Sequence, residues 1–235
     1  MLNEQHAFRH ELKYLCSAPE LQIIESRLKS LCPLDKHLNG QSFYTIRSLY
    51  FDDMNNSCYY QNLDGVDPRE KFRIRIYNGE SRVINLELKS KLRGKTLKQS
   101  CPLTREQYDK ILDKTIVRDL RDYPPLLRKL ALQMQTVLLR PKVIVEYERT
   151  PFVYPIGNVR ITLDKNISAS NAKDDFFEKR IHKRPVLQAG QHLLEVKFDE
   201  LLPDFIYRNL QLQNLQSTAF SKYCLCRKYD LGDYL

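Results

Sequence analysis

Arg69-Glu-Lys-Phe-Arg-Ile-Arg-Ile-Tyr77, followed by Asn78-Gly79 and by Leu86-Glu-Leu-Lys-Ser-Lys91, decides how this chain folds. Side chains alternate between the faces of a strand, so Lys71, Arg73 and Arg75 point one way and Phe72, Ile74 and Ile76 the other. Asn-Gly is the turn chemistry that reverses a hairpin. On the return, Glu87, Lys89 and Lys91 share one face while Leu86 and Leu88 share the opposite one. Crowded guanidinium and ammonium groups repel one another unless a polyanion or carboxylates sit among them. On one hairpin alone a solvated outer face is the better account of the pattern, because charged strand residues are mostly exposed. The distinction rests on whether other strands repeat it.

They do. Strand patterns run over Phe8–Cys16, Tyr44–Asp52, Arg69–Tyr77, Arg82–Lys91, Gly94–Cys101, Pro141–Thr150, Val159–Lys165 and His192–Phe198, about eight in all. Helical patterns lie between them. Ser17-Ala-Pro-Glu20 is a capping box opening a helix through Leu21, Ile24, Leu28 and Leu31, closed by Pro33. Thr104-Arg-Glu-Gln107 opens another, to about Thr115, and Pro124-Pro125 introduces a third with Leu126, Leu130, Met134, Val137 and Leu138 at helical spacing. Two more are expected near the end, Asp204–Leu212 and Thr218–Tyr229, with Ser217 as the N-cap of the second. Residues 166–190 carry no period and read as an irregular excursion.

With 235 residues, 42% hydrophobic and 29% charged, the composition is that of a globular protein able to bury a core. A net charge of +9 points to an anionic partner without choosing among them. No run reaches the roughly 18 apolar residues of a membrane span, and Met1–Tyr14 is too polar for a signal peptide, so a cytoplasmic location is expected. Cys16, Cys32, Cys58, Cys101, Cys224 and Cys226 lack paired metal-ligand spacing and read as buried thiols of a reducing compartment. The five histidines have no ligand-like pairing.

Antiparallel strands in this number can close into a barrel wide enough for one elongated ligand. Lys13, Arg73, Arg75, Lys89, Lys98, Arg149, Arg160 and Lys197 each lie across their strand from apolar neighbours, and Glu11, Glu87, Asp164 and Glu195 share the charged faces. Outward-looking charge would give a greasy, lipocalin-like interior. Inward-looking charge demands a polyanion, with a divalent metal on the carboxylates. Amphipathic helices need an apolar surface to pack on, and the strands supply it only if their apolar faces look outward. The expectation is therefore an α+β fold, a single domain over 1–235, built as an eight-stranded antiparallel closed β-barrel wrapped by α-helices around a basic tunnel.

Phe8-Arg-His-Glu-Leu-Lys-Tyr14, Ser48-Leu-Tyr-Phe-Asp52, Lys71-Phe-Arg-Ile-Arg-Ile-Tyr77, Leu86-Glu-Leu-Lys89, Tyr147-Glu-Arg-Thr-Pro-Phe152, Val159-Arg-Ile-Thr-Leu-Asp164, Leu194-Glu-Val-Lys197 and Phe220-Ser-Lys-Tyr223 resemble, in order, the VTC-type polyphosphate polymerase domain. That family belongs to the triphosphate tunnel metalloenzymes, alongside CYTH proteins. The resemblance implies a tunnel that binds ATP and, with Mn²⁺ or Mg²⁺, passes the γ-phosphoryl group to a growing polyphosphate chain. It implies phosphate-binding and catalytic roles for Lys13, Arg73, Arg75, Lys89, Arg149, Arg160, Lys197 and Lys222. A further family lysine matches Lys98, with Lys95 as the alternative. Glu195 is the implied metal ligand; Glu11, Glu87 and Asp164 are further metal or counter-charge positions. CYTH members begin Glu-x-Glu-x-Lys, and here Arg9 stands in place of the first glutamate. Neither an amino-terminal regulatory domain nor a carboxy-terminal membrane segment is expected within the chain, and a membrane-protein partner is left open.

Phosphoryl transfer asks a protein for positioning and for positive charge around the moving group. A chain-end phosphate oxygen is already anionic and needs no general base, whereas hydrolysis needs an activated water. Three readings follow: a polyphosphate polymerase using ATP, a metal-dependent tripolyphosphatase or nucleoside triphosphatase, and a non-catalytic polyanion-binding barrel. Few aromatic residues interleave the basic faces, so no nucleic acid partner is expected.

Overall fold

The computed structural model describes residues 9–93, 95–116, 120–211 and 215–231. Its elements, in chain order, are β1 (His10–Ser17), α1 (Ala18–Leu31), β2 (Tyr44–Asp52), α2 (Ser57–Leu63), β3 (Arg69–Tyr77), β4 (Glu80–Leu92), β5 (Lys95–Pro102), α3 (Arg105–Leu112), α4 (Pro125–Thr136), β6 (Arg140–Tyr154), β7 (Val159–Ser170), the two-residue β8 (Arg184–Pro185), β9 (Gln191–Phe198), α5 (Asp204–Leu210) and α6 (Lys222–Leu231). The class is α+β, with antiparallel pairing. Strands β2 and β3 have the bounds the alternation predicts. The outer ends of three predicted segments, at Phe8, Gly94 and Leu212, fall outside the described residues.

The chain divides into two compact units. One comprises Met1–Thr45, Tyr147–Ser168 and Pro185–Phe220. Its strands follow the order β1-β9-β7-β6. The register pairs Leu12 with Val196 and Val196 with Ile161, then Tyr14 with Leu194 and Leu194 with Leu163. Those side chains form one apolar face, on which α1 lays Leu21, Ile24 and Leu28 and α5 lays Ile206 and Leu210. The start of α1 follows from its capping box: the Ser17 hydroxyl accepts from the Glu20 amide, and the Glu20 carboxylate accepts from the Ser17 amide at 2.7 Å.

The other unit comprises Ile46–Glu146, Ala169–Arg184 and Ser221–Leu235. Here the order is β6-β2-β3-β4-β5, and Phe72, Ile74, Ile76, Leu86 and Leu88 form the apolar face. On it sit Tyr108 and Ile111 of α3 and Leu127, Leu130 and Met134 of α4. In each unit, then, helices cover the apolar strand face, as the amphipathic patterns require.

Two features depart from expectation. Helix α6 begins at Lys222, and the Ser221 hydroxyl accepts from the Cys224 amide at 3.3 Å. Ser217 is no cap: it bridges Tyr14, and the Thr218 amide donates to the Lys13 carbonyl at 2.9 Å. A backbone pairing far away in sequence outcompetes the local cap. The excursion expected over 166–190 starts later, because β7 runs on to Ser170, and it is anchored by Arg47, which sits across from Ile76 on the apolar face of β2. Its guanidinium binds Glu146 at 2.5 Å and donates to the carbonyls of Phe176 and Glu178 at 2.8 and 2.6 Å. The excursion thereby places Phe176 in the core.

In the turn before β7, Gly157 has φ +72° and faces the Leu201 carbonyl so closely that an added Cβ would overlap it. Gly157→Ala is expected to lower stability by about 3 kcal/mol or more, combining left-handed strain with that clash. A fall in the urea midpoint measures it.

Candidate functional site

Opposite the helices, each unit presents a charged sheet face. In the unit of β1, β9 and β7, the register sets Glu11 beside Lys197 and Lys197 beside Arg160, and Lys13 beside Glu195 and Glu195 beside Thr162. The result is a checkerboard. The Lys13 ammonium lies 3.4 Å from Glu11 and donates to the Phe220 carbonyl at 2.9 Å. Lys197 lies between two carboxylates, 3.2 Å from Glu11 and 3.5 Å from Glu195. Arg149 grips Asp164 with two bonds of 2.6 Å and reaches Glu195 at 3.3 Å. Arg160 binds Asp35 at 2.6 Å and the Tyr44 hydroxyl at 3.3 Å.

On β3, β4 and β5 the charged face is more one-sided. Successive cross-strand rows are Arg75 and Asn85; Arg73, Glu87 and Ser100; Lys71, Lys89 and Lys98; and Arg69, Lys91 and Thr96. Cross-strand partners share a face. The buried Glu87 is the carboxylate in these rows, and it serves Arg73 at 2.6 Å, Lys98 at 3.4 Å and Arg75 at 3.8 Å. Burial opposes its ionisation, but those cations outweigh burial and hold its carboxyl well below the usual range. Lys98 belongs to this face. Lys95 pairs with Leu92, one position out of phase with the charged row of Lys91 and Thr96, and so sits on the other face.

Beside these rows, β2 contributes Ser48 and Tyr50, paired with Arg75 and Arg73. The Arg73 guanidinium donates to the Tyr50 hydroxyl at 2.8 Å, and Arg75 donates to the Ser48 hydroxyl at 3.2 Å. Burial raises the Tyr50 phenol, but Arg73, Arg75 and Lys71 together bring it below its ordinary value. Lys222 is buried at the start of α6. Next to it in the chain, Tyr223 donates its hydroxyl to the fully buried Asp52, whose carboxylate also accepts the amides of Cys58 and Tyr59.

Each predicted phosphate-binding residue thus lies on a charged face or, for Lys222, at the head of the helix beside one. The sequence reading passed over Asp35, Tyr44, Ser48 and Tyr50, whose contacts with arginines depend on strand pairing. It placed Lys71 on the basic face without giving it a role.

A divalent cation, which the resemblance implies, would need oxygen donors from the carboxylates of the charged faces. Glu87 and Asp164 are occupied by guanidinium groups, which favours counter-charge over metal. Glu11 and Glu195 share the ammonium of Lys197, and each meets a further cation, Lys13 at 3.4 Å and Arg149 at 3.3 Å; all are longer contacts than the 2.6 Å guanidinium pairs of Glu87 and Asp164. Hard cations such as Mg²⁺ bind through one or two carboxylates and complete their shell with phosphate oxygens and water. Among the described residues no three His, Cys, Asp or Glu side chains gather as a metal cage. Glu11 and Glu195 fit a metal that arrives with its phosphate.

A groove along α1, lined by Gln22, Glu25, Lys29, Lys165 and His192, opens on the helix-bearing side of the first unit and shares no residue with the charged face. Among the described residues no helix is long and apolar enough to cross a membrane.

No curated protein matches the sequence. Among solved structures, HpAC1 from Hippeastrum, described as having a dominant triphosphatase activity, is similar at 14% identity and a TM-score of 0.57, over 94% of this chain and 96% of that one. The PH1819 protein from Pyrococcus horikoshii OT3 is similar at 13% identity and a TM-score of 0.51, over 94% and 99% of the two chains. At these identities the likeness concerns the fold. A family model for the VTC domain matches residues 8–229, nearly the whole sequence, and the chain belongs to the VTC domain family.

Proposed function

We propose that this protein is a triphosphate-handling enzyme and, more finely, an ATP-dependent polyphosphate polymerase. The observation that carries the reading is the composition of the β3–β5 face: Arg69, Lys71, Arg73, Arg75, Lys89, Lys91 and Lys98 surround one carboxylate, Glu87. Like charges directly opposite one another destabilise a sheet unless an anion sits among them. Family membership supports the same conclusion. The proposal includes the closed eight-stranded tunnel expected of the family.

In this reading a terminal oxygen of the polyphosphate chain attacks the γ-phosphorus of ATP, the bond to the β-phosphate oxygen breaks, and ADP leaves. Arg73 and Arg75 suit the transferred group because a planar guanidinium can bind two oxygens at once. Lys13, Lys89, Lys98, Lys197 and Lys222 supply point charges, and Arg149 and Arg160 complete the set. Glu87 and Asp35 hold Arg73 and Arg160 in place before substrate arrives, so little reorganisation is needed. Glu11 and Glu195 would hold Mg²⁺ or Mn²⁺, which supplies charge neutralisation at phosphate oxygens when bound. No protein base is required, because the attacking oxygen is already ionised.

A second reading, hydrolysis of triphosphates, is favoured by the fold shared with HpAC1. Against it stands Arg9, which occupies the first carboxylate position of the CYTH pattern and pairs with Asp199 at 2.9 Å. Purified protein with ATP and Mn²⁺ separates the two. Polymerisation predicts ADP together with long, phosphatase-sensitive polymer, and Arg73→Ala is expected to slow it by about a hundredfold or more. Release of ADP and orthophosphate alone would replace the first reading by the second.

A further inference from the structure

We propose that Lys71, with Arg69 and Lys91, forms a second phosphate subsite that takes the polymer rather than the nucleotide. The inference rests on the reading that the β3–β5 face binds phosphates, and it goes beyond the family-matched residues. Its basis is the register. Lys71, Lys89 and Lys98 make an unbroken row of ammonium-bearing residues across adjacent strands, and Arg69 and Lys91 make the next row. From Arg75 to Arg69 the charged face runs six residues, roughly 20 Å at the rise of an extended strand. That run is longer than the phosphates of a nucleotide need, whereas a linear polyanion can follow it.

The surroundings of Lys71 suit an anion. Its ammonium lies 4.8 Å from the centroid of the Tyr223 ring, a contact that steers the charge without neutralising it. The ring is held by the Tyr223–Asp52 hydrogen bond, and Asp52 in turn caps the first amides of α2. Lys71 is thus seated by packing, and among the described residues it has no carboxylate ion pair to break when phosphate arrives. Burial lowers its ammonium pKa, and an incoming phosphate would reverse that shift.

The test is a binding series on the intact protein, without turnover, using ATP and long-chain inorganic polyphosphate as separate probes. Lys71→Met keeps the length of the side chain and its contact with the ring while removing the charge. It is expected to weaken long-chain polyphosphate by about tenfold to a hundredfold and to leave ATP within about twofold, with Lys71→Arg restoring most of the loss. Lys91→Met serves as the second variant if Lys71→Met fails to fold, and the same chain-length bias is expected of it. Equal weakening of both probes, or of neither, would overturn the subsite. The outcome is independent of the proposed reaction: a wild-type protein that binds polyphosphate but makes none would end the polymerase reading and leave the subsite standing. Polymer synthesis with no chain-length effect in either variant would do the reverse.

Discussion

Glu87→Gln is expected to cost about 3–5 kcal/mol of stability, among the largest effects of any single substitution on the β3–β5 face. The residue is 2% exposed and lies within ion-pair distance of Arg73, Arg75 and Lys98. Glutamine keeps the shape and one hydrogen-bond acceptor, so the loss isolates the charge. Three cations left without it repel one another on a half-buried face. The pH dependence identifies the cause. The Glu87 carboxyl titrates below its unfolded value of about 4.3, so its contribution is complete above that value and fades as pH falls through the folded pKa. The wild type should therefore lose this increment in acid, and the gap to Glu87→Gln should close there. Tripolyphosphate should raise the melting temperature of the variant more than that of the wild type, because an anion then replaces the missing charge. Unfolding curves at neutral and acid pH, with and without tripolyphosphate, measure all three. A gap that stays constant with pH would show that Glu87 acts through packing.

How much of this was legible beforehand depends on the range of the interactions. Strand β3 could be bounded to the residue because alternation is a local property and Asn78-Gly79 ends it. The orientation of its faces was legible too, since Phe72, Ile74 and Ile76 had to meet helices and do meet α3 and α4. Capping at Ser17 and Thr104 held because both caps and their partners lie within four residues. Ser217 offers the same local chemistry and fails, since its backbone pairs with Tyr14 instead. Arg47 was unreadable for a related reason. A charged residue on an apolar face makes sense only once Glu146 and the carbonyls of Phe176 and Glu178 converge on it. The positioning residues Asp35 and Tyr50 were missed because what they do is set by cross-strand pairing, which no single segment records. Lys71 was on the basic face from the start, but the motif gave it no role; register with Lys89 and Lys98 supplies one.

Arg149 poses the sharper question, since one guanidinium is asked both to hold the fold together and to meet phosphate. Arg149→Met is expected to cost about 3–5 kcal/mol, because it removes the two-pronged guanidinium partner of Asp164, which is fully buried, and takes one cation from Glu195. A loss of activity in that variant alone would say little. The double variant Arg149→Met/Asp164→Leu removes both partners, and replacing a buried ion pair by apolar side chains is often close to neutral. Most of the stability should return. Polymer synthesis should not: Arg149 also orients Glu195, the carboxylate proposed to meet the metal, and places positive charge beside it. The expected rate stays down by about a hundredfold or more in the refolded double variant, on the scale of losing one preorganised charge at a reacting phosphate. The unfolding midpoint and the ADP and polymer yields, taken on the same three proteins, separate the two roles. Polymerisation that recovers along with the fold would make the Arg149–Asp164 pair a strut and remove Arg149 from the phosphate-binding set.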